Sequence, residues 1–137
     1  MKVNPNDAEA HDKLGNVLIK LDEFNEAIGH FRQALRLKPD YVTSLNGLAW
    51  VLATHPDANM RDANEAVVLA KSAAGLTGNR DAAVLNTLAS AYASAGEYQR
   101  AIATARSALD LASAAKDEEL ANHLRGQLEL YRKQAKP

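Results

Sequence analysis

Apolar residues fall at Leu14, Leu18 and Leu21, and then at Phe24, Ala27, Ile28, Phe31, Ala34 and Leu35. Steps of three and four residues put each set on one face of a helix, so the stretch predicts two successive amphipathic helices. The polar break "LDEF" separates them, and Asp22 is expected to offer an N-cap oxygen to the second helix. Pro39 closes the pair, because the residue before a proline is disfavoured in helical geometry.

The same beat returns twice. Pro5 and Pro39 stand 34 residues apart in the similar settings "NPNDAEAH" and "KPDYVTSL". In "LNTLASAYASAGEYQRAIATARSALDLA", Leu88-Ala89 aligns with Leu14-Gly15, Tyr92 with Leu18, Tyr98 with Phe24, Ala101 with Ala27, Ala105 with Phe31 and Ala108 with Ala34. The middle copy places Leu48-Ala49, Leu52, Ala63, Ala66, Ala70 and Ala73 at the same points. From Ala27 to Ala66 is 39 residues and from Ala66 to Ala101 is 35, so the middle unit carries an insertion of about five residues at 55–61. A connection lengthened in this way is either tolerated surface length or functional. Met60 is expected to fold back and be buried over the following helix, and Asp62-Ala63-Asn64-Glu65 reads as a capping-box-like start. Gly75 and Gly78 read as helix-ending residues.

Leu-Gly, then an aromatic residue or Leu, then Ala, Phe, Ala and a closing Pro resembles the tetratricopeptide repeat. The first unit matches nearly every hallmark place, except that His11 stands where a large apolar residue is usual. The second and third units lack the closing proline, and Ala70 replaces the usual Phe in the second. The stretch "LAWVLATHPD" through "LNTLASAYASAGEY" is similar to the C-terminal repeats of larger bacterial members. The resemblance implies an all-α, right-handed solenoid of three helix pairs, at about 8–41, 42–79 and 80–115, in one domain spanning 1–137. Stacked pairs bury together what no pair buries alone. The segment "KDEELANHLRGQLELYRKQAKP" reads as a capping helix over about 117–133, with Leu120, Ala121, Leu124, Leu128 and Tyr131 at helical spacing.

The opposite end has no such cap. Val3-x-Pro5 matches Leu37-x-Pro39, the close of a repeat, so the chain is expected to open in the tail of an earlier repeat. It then reads as a fragment of a longer protein or as a chain that pairs through this edge, a homo-oligomer.

Composition narrows the function. The formal net charge is −1 with acids and bases interleaved, which builds no basic face for nucleic acid. There is no cysteine. No apolar run approaches the ~20 residues of a membrane helix, and no secretory signal is visible, so a soluble, by default cytoplasmic, chain is expected. His11, His30, His55 and His123 are expected to lie far apart and stand in no metal spacing. No nucleophile motif or phosphate loop occurs. Neither catalytic residues, a cofactor nor a metal is expected.

In tetratricopeptide proteins the first helix of each pair lines a concave groove. The resemblance therefore implies groove candidates at Asp12, Asn16 and Lys20, then Asn46 and Trp50, then Asn86 and Ser90. Asp12, Asn46 and Asn86 hold one place in successive units, and Asn16, Trp50 and Ser90 hold another one turn later. Asn46 and Asn86 suit an extended peptide backbone, because an amide both donates and accepts. Trp50, the only tryptophan, is either an aromatic anchor or a packing residue. The lysine-and-asparagine clamp of chaperone-tail binders is matched only by Asn16 among Asp12, Asn16, Gly47, Ala83 and Thr87, and Asp12 would repel a carboxylate. The expected function is a non-catalytic scaffold for a protein or peptide partner, the alternative an oligomerisation module working through the N-terminal edge.

Overall fold

The computed structural model describes residues 6–136, so Val3 and Pro5, on which the expected tail of an earlier repeat rests, lie outside the described residues. Among the described residues seven α-helices follow in order: α1 (Ala8–Lys20), α2 (Phe24–Leu37), α3 (Val42–Thr54), α4 (Ala63–Leu76), α5 (Ala82–Ser94), α6 (Tyr98–Ala114) and α7 (Glu118–Ala135). A short 3-10 turn, Ala58–Met60, lies between α3 and α4. The architecture is the all-α solenoid expected: α1 packs on α2, α3 on α4, α5 on α6, and α7 covers α6.

Carboxylates start four of the helices. Asp7 accepts from the Ala10 amide, Asp62 from Glu65, Asp81 from Ala83 and Val84, and Asp117 from Leu120. Each satisfies backbone donors that the first turn leaves without partners. Asp22 does not cap α2 as expected. It sits at φ 60 and instead closes α1, and Glu23 is the N-cap of α2 without a side-chain bond. The Glu23 amide bonds back to the Leu18 carbonyl at 2.8 Å, and the Asp22 amide to that of Ile19 at 3.0 Å. This left-handed closure recurs at Gly96, where the Glu97 amide meets the Tyr92 carbonyl at 2.8 Å. Gly78 likewise closes α4 at φ 64, whereas Gly75 stays inside the helix.

The insertion respects the same closure. The chain leaves α3 at His55 and returns at Asp62, whose amide bonds to the Leu52 carbonyl at 3.0 Å, the counterpart of Leu18 and Tyr92. Extra residues are looped out and the helix register is kept. Met60 is not buried as expected; it remains 41% exposed. His55 fills the space, only 7% exposed, with its ring 5.7 Å from that of Phe24. Its Nδ1 accepts from the Asp57 amide at 3.0 Å, so Nε2 carries the hydrogen and donates to Asn25 Oδ1 at 2.9 Å. The capping box at Asp62 forms only in half, since the Glu65 carboxylate turns away to Arg32 in a bidentate pair at 2.8 and 2.9 Å.

Small residues set how closely the helices approach. Ala27, Ala34, Ala49, Ala66, Ala70, Ala89, Ala101, Ala105 and Ala108 are all fully buried. Phe31 is the large exception, also fully buried, wedged between α1 and α3. Both helices present glycine to it: a Cβ at Gly15 would lie 2.7 Å from its Cε1, and one at Gly47 2.5 Å from its Cζ. In the next unit the equivalent of Phe31 is Ala70, and the two glycine places hold Ala49 and Thr87. Ring and glycines thus change together.

Candidate functional site

α1 touches α3 and α3 touches α5, whereas α2, α4 and α6 are held apart by the odd-numbered helices. The array therefore curves toward α1, α3 and α5, and their outer faces form the concave side. The groove candidates lie on these three helices. Proximity does not give them one role.

Asp12 differs most from the expectation. It is 6% exposed, and its carboxylate accepts from the Ser44 hydroxyl at 2.7 Å and the Thr43 hydroxyl at 2.9 Å. Both donors stand at the start of α3, so the side chain ties the first pair to the second and is committed there. Asn16 is exposed and bonds through Nδ2 to the Asp12 carbonyl at 3.1 Å. Lys20 is exposed in the last turn of α1, where the helix dipole favours its charge. Ser90 is half-buried on α5 and lies near the buried Tyr131 of α7. Burial pushes the Tyr131 hydroxyl up in pKa, and the neighbouring Ser90 offsets part of that. The capping helix therefore reaches the edge of the groove, a contact that the sequence reading missed.

Trp50 is half-buried. Its ring lies 6.3 Å from that of Phe24, tilted by 49°, and it packs against the core cluster to which Leu18 and Ala53 belong. One side of the ring is therefore structural and the remainder faces solvent.

Asn46 and Asn86 share an unusual state. Each is half-buried, with Oδ1 covered and without a hydrogen-bond donor. Their remaining polar surface is then the amide nitrogen, a donor presented to the groove. A covered acceptor without a partner costs about 1–3 kcal/mol. The same cost recurs at the same place in two successive units, on a surface row where Asn46, Trp50, Asn86 and Ser90 bring no charge. Such a row can donate to carbonyl groups and, after rotation of the amide, accept from peptide N–H groups.

The four histidines are not all separate, contrary to the sequence reading: His11 and His30 meet, with Nδ1 atoms 3.0 Å apart. Among the described residues no three His, Cys, Asp or Glu side chains converge as a metal site would require. Among them, too, no helix is long and apolar enough to cross a membrane.

Comparison with known proteins follows the same line. Models of the tetratricopeptide repeat match residues 8–41 and 84–137. Among solved structures, the TPR domain of Arabidopsis OM64 superposes with a TM-score of 0.72 at 19% identity, over 94% of this chain and 99% of that one. MamA from Desulfovibrio magneticus RS-1, residue 41 to its end, gives 0.66 at 17% identity, over 96% of this chain and 79% of that one. A further crystal structure of MamA gives 0.67 at 20% identity, over 95% and 70%. At such identities the likeness is one of fold. No curated protein sequence matches the chain.

Proposed function

The chain belongs to the tetratricopeptide repeat family of protein–protein interaction modules, and from that premise we propose that it is a non-catalytic scaffold holding an extended peptide segment in its concave groove. The observation that carries the reading is the pair of unmatched amides, Asn46 and Asn86. They sit on neighbouring helices at one register and offer backbone-type hydrogen bonding, while the surface between them is uncharged. A peptide recognised this way is read through its main chain, with Trp50 supplying apolar contact and little demand on side-chain identity. Asp12 is left out of the contact set because Thr43 and Ser44 already hold it.

Replacement of both amides, Asn46→Ala with Asn86→Ala, tests this. Each lost hydrogen bond is worth about 0.5–1.5 kcal/mol, so a peptide selected on the wild-type protein should bind about tenfold to a hundredfold more weakly. Helix content should stay near wild type and the melting temperature should hold or rise, since the substitution removes two covered acceptors without partners and leaves the core intact. Unchanged affinity by calorimetry would remove the groove reading.

A second reading has its own observation. Val17 of α1 and Leu21, the residue that caps its C-terminus, are 50% and 64% exposed. An apolar edge of this kind favours association, and we keep assembly through it as the alternative function. Light scattering that shows only monomer at high concentration removes that alternative without touching the first.

A further inference from the structure

His11 projects from α1 and His30 from α2, and they meet inside the first helix pair. Their Nδ1 atoms are 3.0 Å apart and the rings stack with centroids 5.2 Å apart at 27°. His11 is 7% exposed and His30 is half-buried. Two imidazole nitrogens at this distance bond only if one carries the hydrogen and the other offers its lone pair. The neutral pair therefore shares one Nδ1 proton. One added proton enters at the other nitrogen of the donating ring and leaves a single charge with the bond intact; a second added proton makes both Nδ1 atoms donors, removes the bond and places two like charges side by side in a covered site. Packing alone does not call for this arrangement: the equivalent places on α3 and α5 hold Leu45 and Leu85, both buried.

We infer that His11 and His30 form a proton-sharing pair that makes the docking of α1 on α2 sensitive to pH, so that mild acid loosens the first helix pair. Because α1 also carries Asp12, the loosening reaches the contact with Thr43 and Ser44 on α3. The proposal concerns helix docking and stands whether or not a peptide occupies the groove.

The charged surroundings agree. Burial holds His30 below the ordinary imidazole range, and His11 pushes the same way. Glu26, one turn earlier on α2, opposes them in part. On α1 the neighbouring acids are occupied, Asp7 by the Ala10 amide and Asp12 by the two hydroxyls that α3 sends to this side. Tyr41, between α2 and α3, is raised in pKa by its own burial and stays neutral in this range. The sign of the pH effect follows from His30. A histidine held low in the folded state is protonated first in the unfolded state. Its stabilising contribution is complete above about pH 6.5 and is lost as pH falls below that value.

Two measurements on the intact chain test the pair. Two-bond 15N correlation spectra at pH 7.5 should show opposite tautomers for His11 and His30, one with hydrogen on Nδ1 and one on Nε2. Urea titrations should show the folding equilibrium constant falling by up to about tenfold per pH unit below pH 6.5, the limit for one extra proton. His11→Leu, which installs the residue type of Leu45 and Leu85, should flatten that decline. His30→Gln, which keeps an amide to meet His11 but cannot titrate, should do the same and guards against a packing failure of the first variant. Identical tautomers on both rings, or a decline that runs parallel in wild type and both variants, would overturn the proposal.

Discussion

Phe31→Ala is expected to destabilise the protein by about 3–5 kcal/mol, the range for emptying a packed aromatic site. That is a large share of the ~5–15 kcal/mol that holds a domain of this size together. The ring is fully buried and joins three helices, α2 to which it belongs and α1 and α3 on either side. No neighbour can slide in to fill the void, because the facing residues are Gly15 and Gly47. Urea denaturation should show the midpoint falling, with α1 amides exchanging first. The second unit supplies a partial rescue, since Ala70 is accompanied there by Ala49 and Thr87. Phe31→Ala combined with Gly15→Ala and Gly47→Thr should recover part of the loss, helped by the higher helix propensity of the new residues. Gly47→Thr alone should destabilise, because its Cβ would lie 2.5 Å from the ring. If the triple variant is no more stable than the single one, the paired exchange of ring and glycine is not what keeps this interface closed.

Removal of α7 by a stop at Lys116 should have a still larger effect. Leu124, Leu128 and Tyr131 are buried against the last helix pair, and each is worth about 1.5–3 kcal/mol. Together they contribute about 5–9 kcal/mol, an upper figure because the unfolded chain already covers part of that surface. Their loss uncovers Ala101, Ala105, Ala108 and Ala112 on α6, an apolar stripe with no charged residue on it. The product should aggregate, or stay helical while binding a hydrophobic dye and melting without cooperativity. A soluble truncation with a sharp thermal transition would show that α7 is an appendage and that the three helix pairs close themselves.

Much of this architecture can be read from spacing alone. The steps of three and four residues, the small residues at fixed places and the offset of 39 against 35 put the helices and the insertion where they are found. Periodicity reports which face of a helix is apolar, and in a solenoid every such face has a neighbour waiting. Contacts between side chains on different helices are another matter. Asp12 read as a groove residue because it lies off the apolar stripe. It is buried because two hydroxyls, 31 and 32 residues further on, turn toward it. His11 and His30 are 19 residues apart, and only the relative rotation of α1 and α2 brings their rings together. The signal that could have found them was His11 itself, polar where the pattern asks for an apolar residue.

The insertion teaches the same distinction. Its position was legible from the broken count, but its filling was not. Met60 was the apolar candidate, yet it lies on the exposed 3-10 turn. His55 instead satisfies both ring nitrogens with Asn25 and the Asp57 amide, and so can be buried at little cost. Asp22 shows the limit of a residue-type rule: aspartate caps helices and also tolerates the left-handed conformation, and the tight turn needs the second property.

The central claim, that a peptide is held in the concave groove, has a reporter built into the chain. Trp50 is the only tryptophan, half-buried on α3 and one turn from Asn46. The measurement is its emission and acrylamide quenching during titration with a peptide selected on the wild-type protein. The emission should shift and quenching should fall along a curve whose midpoint matches the dissociation constant from calorimetry. Saturated binding that leaves both signals unchanged would contradict the claim, because the proposed contact set includes Trp50, one turn from Asn46 on the same helix.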